Sequence, residues 1–225
     1  MAEFSLAERS PTPVSSERQL PQGRSWSGRA FDITASLILL IFFGPFILLI
    51  VLAIYLQDGG PILFSQTRLG FGGRSFRCLK FRSMGVDAEA RLVALLDNCS
   101  SARAEWERDH KLKADPRITA VGRVLRKTSL DELPQLFNVL IGDMTLVGPR
   151  PIVHAEIWRY GPRFRHYCSV LPGLTGLWQV SGRSDASYRA RVAMDVLYVK
   201  KRSPLLDLKI LLATLPAVLF SRGSY

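Results

Sequence analysis

The stretch that decides the fold is ITASLILLIFFGPFILLIVLAIYLQ, which runs from Ile33 to Gln57 and contains no charged residue. Between Asp32 and Asp58 lie 25 uncharged residues. At ~1.5 Å per residue, a helix of that length crosses a ~30 Å hydrocarbon layer. The segment starts too late and is too long for the apolar part of a signal peptide. It therefore predicts a protein that resides on or in a membrane.

Gly44 and Pro45 lie at the middle of this segment. Proline removes a backbone donor and clashes with the preceding turn, so we expect the helix to kink or break there. Each half of about eleven residues is then too short to cross alone. Positive residues favour the cytoplasmic side, and they flank both ends of the segment. A re-entrant hairpin is therefore slightly favoured over a kinked spanning helix, and both remain open.

The composition indicates one soluble domain beside the membrane segment, since the chain has 225 residues. Its net charge of +11 implies an anionic partner, which is nucleic acid, anionic lipid or a phosphate-rich substrate. The three cysteines have no metal-ligand or redox spacing, which indicates a reducing compartment. Residues 1–25 are rich in proline and serine and predict a disordered tail, followed by the membrane helix at 26–57.

The rest of the sequence predicts an α-rich α+β fold, in which residues 58–204 form a small domain of helices and short strands. Two extended runs joined by glycines predict a hairpin, and three further segments have helical periodicity. The hairpin runs are residues 62–66 and 75–81, and the helical segments are residues 87–110 with a break near Cys99, 118–125 and 133–141.

Residues 205–225 predict an interfacial C-terminal helix. The apolar stretch from Leu205 to Phe220 is interrupted by Asp207, Lys209 and Pro216, which makes it a poor membrane span. An ordinary amphipathic helix of the core is the alternative.

Candidate chemistry lies in the run Ser129-Leu130-Asp131-Glu132-Leu133-Pro134. Pro134 is tolerated best in a first helical turn, so we expect a helix to begin close to Asp131. Asp131 and Glu132 then lie at the positive end of the helix dipole. The alternative is a structural one, because Ser129 and Glu132 also have the spacing of a capping box.

Basic residues around this run favour chemistry over capping. Arg126 and Lys127 lie just upstream, and Arg150 stands between two prolines in a stiff, extended backbone that suits phosphate binding. A structural proline turn with a solvated arginine is the alternative for that loop. A carboxylate among cations stays ionised, attacks phosphorus and helps to hold Mg²⁺. The residues therefore indicate phosphoryl transfer.

Four stretches together resemble the bacterial sugar transferase family, the monotopic polyprenol-phosphate phosphoglycosyl transferases. They are KFRSM at 80–84, the segment from Asp115 to Gln135, GPRP at 148–151 and the loop from Pro172 to Arg183. The resemblance covers roughly residues 29–220. Family members carry a re-entrant membrane helix broken by a proline, which Pro45 matches. The resemblance therefore implies a hairpin in the bacterial inner membrane, with the catalytic domain on its cytoplasmic face.

The chain is similar to a minimal form of the exopolysaccharide-initiating galactosyl- or glucosyl-phosphate transferases. The resemblance implies that Asp131 attacks a UDP-sugar, expels UMP and passes the hexose phosphate to undecaprenyl phosphate. Asp131 is also implied to hold Mg²⁺, and Glu132 to position either the metal or the acceptor. The residues implied in substrate binding are Lys80, Arg82, Arg126, Arg150 and Arg183. Ser184 stands where many relatives have Asn, which weakens the match beside Arg183.

The implied partners are a UDP-sugar, undecaprenyl phosphate, membrane lipid and later enzymes of glycan assembly, without nucleic acid. A membrane-anchored basic module that binds anionic lipid or nucleic acid is the alternative. Such a module predicts basic residues spread along exposed helix faces, without the Asp131-Glu132 pair among them. A metal-dependent lipid phosphatase would use similar charges but pass the phosphoryl group to water.

Overall fold

The computed structural model describes residues 24–109, 112, 114–181 and 187–219. Arg183 and most of the predicted tail lie outside these residues. The helices are α1 (Trp26–Asp58), α2 (Ala88–Asn98), α3 (Ser100–Asp109), α4 (Ala120–Thr128), α5 (Gln135–Ile141), α6 (Ile157–Tyr160), α7 (Phe164–Cys168), α8 (Leu177–Val180), α9 (Tyr188–Lys201) and α10 (Pro204–Leu219). The strands are β1 (Leu63–Leu69), β2 (Ser75–Phe81), β3 (Thr145–Val147) and β4 (Gly173–Thr175). A mostly helical fold with short strands is confirmed.

Helix α1 is the one helix of the described residues that is long and apolar enough to cross a membrane. The Ser25 side chain caps its start by accepting a hydrogen bond from the Gly28 N–H, and Gly59 ends it in the left-handed conformation. The helix continues through Gly44 and Pro45, where the sequence predicts a break. Proline removes a single donor while the turns on either side keep their hydrogen bonds, so the helical backbone is not interrupted. The re-entrant placement stays a prediction.

Both ends of α1 are fastened to the same domain. Near its start, Arg29 donates to the carbonyl oxygens of Val139 and Leu140, the latter at 2.7 Å, at the end of α5. At its other end, Asp58 pairs with Arg82, the residue after β2. Large apolar side chains in the middle of the helix are exposed, among them Ile38, Ile41, Phe42, Phe46, Leu48 and Leu49. The helix therefore presents an apolar surface between two anchored ends.

The hairpin and the helices of the central region confirm the sequence predictions. β1 and β2 pair antiparallel from Leu63↔Phe81 to Leu69↔Ser75. The predicted helix from Asp87 is divided at Cys99 into α2 and α3. α4 and α5 correspond to the next two predicted helices, with slightly shifted bounds.

The sequence did not reveal the parallel pair β3–β4, whose register joins Thr145 to Gly173 and Val147 to Thr175. The predicted loop from Pro172 therefore contains a buried strand and the short helix α8 in its described part. Gly173 allows close packing in this segment. A Cβ on Gly173 would lie 2.0 Å from the Gly148 nitrogen, closer than real Cβ contacts allow.

Helix α10 combines features of both predicted alternatives. Ile210 is buried in the core, and Leu206 and Leu211 pack against it. Leu205, Leu208, Leu212 and Leu215 form an exposed apolar stripe at one-turn intervals. One face therefore belongs to the core, and the other has the character of an interfacial helix.

Candidate active site

A tight turn between α4 and α5 positions the two carboxylates. α4 ends at Ser129, which is the one non-glycine residue with a positive φ in the described chain, at φ 57° and ψ 16°. A 3₁₀ turn from Leu130 to Glu132 follows, and α5 begins only at Gln135. The expected helix start close to Asp131 is therefore a few residues early. Non-glycine residues with left-handed geometry are costly and often occur at functional sites.

The capping-box alternative is wrong for this turn. Within the part of the chain that the structure describes, the Ser129 side chain makes no capping hydrogen bond. The Glu132 carboxylate instead lies 2.6 Å from the Lys80 Nζ, which is also 3.6 Å from the Asp131 Oδ2. Lys80 on β2 therefore connects both carboxylates, and one lysine cannot neutralise two of them.

The two carboxylates differ in their electrostatics. Asp131 is 8% exposed. Burial raises its pKa, the Lys80 charge opposes this, and the neighbouring Glu132 adds to it. Burial would also raise the pKa of Glu132, but the charges of Lys80 and Arg150 outweigh it and lower that pKa. The prediction that a carboxylate among cations stays ionised agrees with the lowered pKa of Glu132, whereas burial works against ionisation at Asp131.

Arg126 lies in the last turn of α4, where a hydrogen bond to Ser83 holds it near Asp131. Its Nε donates to the Ser83 Oγ at 2.9 Å, and its charge favours ionisation of Asp131. A Cβ on Gly122, one turn earlier, would lie 1.9 Å from the Ser83 carbonyl oxygen. Glycine at this position therefore lets α4 approach the residue that orients Arg126.

Arg150 is exposed in the loop after β3. Its guanidinium carbon lies 5.9 Å from the centre of the Trp178 ring, and that of Arg191 lies 4.7 Å from the same ring. The charge of Arg150 also acts on Glu132. The structure thus places Lys80 and Arg126 near Asp131, and Lys80 and Arg150 near Glu132. The roles of these basic residues in substrate binding stay predictions.

Two predicted site residues are not part of this cluster. Arg82 is 8% exposed and pairs with Asp58 at the end of α1, which is an anchoring contact. Arg183 lies outside the described residues. Their roles in substrate binding stay predictions.

Arg68 also belongs to the site, although the sequence did not predict it. Arg68 and Gln66 lie on the same face of the hairpin as Cys78 and Lys80, because β1 and β2 pair Gln66 with Cys78. Every second side chain of a strand lies on the same face of a hairpin, so the strand register and the position of Lys80 could have identified Arg68. Its charge acts on Glu132 together with those of Lys80 and Arg150.

The chain belongs to the bacterial sugar transferase family, whose model matches residues 23–221. It is 52% identical to the undecaprenyl-phosphate galactose phosphotransferase of Salmonella typhimurium over 202 residues, which are 88% of this chain and 41% of that protein. It is 47% identical to the exopolysaccharide production protein ExoY of Sinorhizobium fredii, with 88% of each chain covered.

A third relative is the UDP-glucose:undecaprenyl-phosphate glucose-1-phosphate transferase of Caulobacter vibrioides. It is 42% identical over 205 residues, which cover 88% of this chain and 71% of that protein. The chain therefore spans less than half of some relatives and most of others. Relatives of both kinds share the region that holds the carboxylate pair.

Proposed function

We propose that this protein transfers a hexose-1-phosphate from a UDP-sugar to undecaprenyl phosphate, giving UMP and an undecaprenyl-diphosphate sugar. The observation that carries the proposal is the Asp131-Glu132 pair, in which Asp131 is buried, beside Lys80, Arg126 and Arg150 in a chain of the sugar transferase family. The names of the Salmonella and Caulobacter relatives give the lipid acceptor, and ExoY gives the connection to exopolysaccharide production.

In the proposed first step, an Asp131 carboxylate oxygen attacks the β-phosphorus of the UDP-sugar. The bond from this phosphorus to the bridging oxygen breaks, and that oxygen leaves with UMP. The sugar phosphate is now joined to Asp131 as an acyl phosphate. Partial desolvation of Asp131 favours this step, because a poorly solvated carboxylate is a stronger nucleophile.

In the proposed second step, a phosphate oxygen of undecaprenyl phosphate attacks the same phosphorus. The bond to Asp131 breaks, and its carboxylate is restored. Lys80, Arg126 and Arg150 stabilise the negative charge on the phosphoryl oxygens in both steps. A covalent intermediate suits this reaction, since it replaces one direct encounter of two bulky anions by two smaller displacements.

Asp131 and Glu132 fit a Mg²⁺ ion that is shared with the substrate. No cluster of three His, Cys, Asp or Glu side chains exists within the described ranges, so a cage made of protein alone does not fit. Mg²⁺ commonly binds through one or two carboxylates plus substrate phosphates. When bound, it would neutralise the diphosphate and stabilise the departing UMP.

The contacts of α1 support a re-entrant placement, in a membrane that we propose is the bacterial inner membrane. Its 33 residues would span ~50 Å as a straight helix, yet Arg29 near one end and Asp58 at the other both contact the catalytic domain. A helix that crosses the bilayer leaves its two ends on opposite sides. We therefore propose that both ends lie on the cytoplasmic side, where UDP-sugars and the phosphate of the lipid meet.

The function is tested by incubating the purified protein with undecaprenyl phosphate, Mg²⁺ and each of a panel of UDP-sugars. UMP release with at least one sugar, and its loss after addition of EDTA, is the expected result. Rescue by Mg²⁺ after EDTA controls for damage to the protein. Phosphate release from the lipid without UMP would indicate a lipid phosphatase, and no UMP with any sugar would rule out the proposal.

The topology is tested with single cysteines at the two ends of α1, in a variant whose three native cysteines are replaced by serine. Ser27→Cys and Pro61→Cys are suitable, because both positions are exposed. A maleimide that cannot cross membranes should label neither cysteine in intact cells and both after permeabilisation. Labelling of one end alone in intact cells would show a spanning helix.

A further inference from the structure

Arg68 on strand β1 contacts the loop that contains Arg150. Its Nη1 donates to the carbonyl oxygen of Pro151 at 3.1 Å, and its Nη2 donates to the Gln66 Oε1 at 2.6 Å. The side chain is only 15% exposed. One guanidinium fork therefore joins strand β1 to the residue directly after Arg150.

The backbone next to Arg68 strengthens this connection. The Leu69 N–H donates to the carbonyl oxygen of Ile152 at 2.8 Å. The Tyr167 hydroxyl donates to the Leu69 carbonyl at 2.6 Å and accepts from the Ile152 N–H at 3.2 Å. Residues 151 and 152 are thus tied to β1 through side-chain and main-chain hydrogen bonds, which leaves little freedom for the loop.

Arg68 also lies in an unfavourable electrostatic position. Burial lowers the pKa of its guanidinium, and the positive charge of Arg150 lowers it further. Glu156, with its Oε2 at 3.9 Å, offsets this only in part. The hydrogen bonds to Pro151 and Gln66 therefore hold Arg68 in place against the repulsion from Arg150.

We propose that Arg68 is a positioning residue for the transfer reaction, which holds the Pro151 carbonyl and thereby directs the Arg150 guanidinium at the sugar diphosphate of the donor. This inference rests on the proposed function. Arg68 acts through Arg150, so its effect is on donor binding and disappears when Arg150 is absent.

The experiment is a double-mutant cycle of Arg68→Gln and Arg150→Gln, with UMP release measured over a range of UDP-sugar concentrations. Arg68→Gln should raise the KM for the UDP-sugar about 10-fold with a smaller change in kcat, as expected for a lost contact to a charged group. The double variant should be about as impaired as Arg150→Gln alone. Effects that multiply would overturn the inference, since Arg68 would then act independently.

Arg77→Gln is the matched control, because Arg77 is an exposed arginine on the same hairpin. It should leave the KM unchanged. If Arg68→Gln lowers thermal stability too far, Arg68→Lys keeps the charge but not the fork, and it should show the same rise in KM. A wild-type KM in Arg68→Lys would overturn the inference. Absence of UMP release by the wild type would instead contradict the proposed function.

Discussion

Replacement of Asp131 by asparagine should abolish UMP release, with a loss of more than ~1,000-fold in kcat, because an amide cannot form the covalent intermediate. The sugar-phosphate adduct on the protein should also disappear. Both are measured with a radiolabelled UDP-sugar, in the absence of lipid acceptor for the adduct. Full activity of Asp131→Asn would rule out Asp131 as the nucleophile, and an adduct that persists would identify another residue.

The same substitution should make the protein more stable at neutral pH. Because the pKa of Asp131 is raised in the folded protein, the protonated carboxyl stabilises the fold at low pH, and this contribution is lost as the pH rises through the raised pKa. Asparagine does not ionise. The melting temperature of Asp131→Asn should therefore exceed that of the wild type by ~2–4 °C for each kcal/mol gained, and the difference should grow from acid to neutral pH.

Asp97→Asn is the control for this stability effect, because its carboxylate is 68% exposed on α2. It should change the melting temperature little at any pH. A melting temperature of Asp131→Asn below that of the wild type at neutral pH would contradict the electrostatic argument.

Replacement of Asp32 by alanine should destabilise the protein by about 3–5 kcal/mol, because it leaves the buried Thr145 hydroxyl without its acceptor and Arg24 with only one of its two carboxylate partners. The Asp32 side chain is fully buried near the start of α1. It accepts hydrogen bonds at 2.8 Å from the Arg24 guanidinium and from the Thr145 hydroxyl on β3. Arg24 also bonds Asp207 on α10, at 2.8 Å. Asp32 and Arg24 together therefore connect α1, β3 and α10.

Thermal unfolding in a single detergent measures this loss. Asp87→Ala is the control, since the Asp87 side chain is 55% exposed and pairs with an equally accessible Arg91 on the surface. It should cost clearly less than Asp32→Ala. Equal losses in the two variants would show that burial at Asp32 does not decide the stability of the anchor.

Much of the fold was predictable because it depends on local patterns. Two extended runs joined by a glycine-rich turn identified the hairpin, and apolar residues at helical spacing identified α5. The strands β3 and β4 were not predictable from periodicity, since each has three residues. Their pairing depends on contacts between segments that are distant in the sequence.

The candidate site was predictable in part. Neighbours of Asp131 in the sequence, such as Glu132 and Arg126, were recognised from their spacing. Arg68 was not, because its relation to Lys80 depends on strand register and its relation to Pro151 on a contact across 83 positions. The burial of Asp131, which raises its pKa, was not predicted, since the degree of burial is not visible in a sequence.

The contact between Gly148 and Gly173 has a consequence for engineering. A Cβ on Gly176 would lie 2.3 Å from the Gly148 carbonyl oxygen, so position 176 also has no room for a residue larger than glycine. The segment after β3 and the segment that contains β4 therefore meet through their main chains at these glycines. Under the proposed function, changes of donor preference should be sought by exchanging side chains that project from these segments, since loop grafting or insertion would separate main chains that fit together only where no Cβ is present.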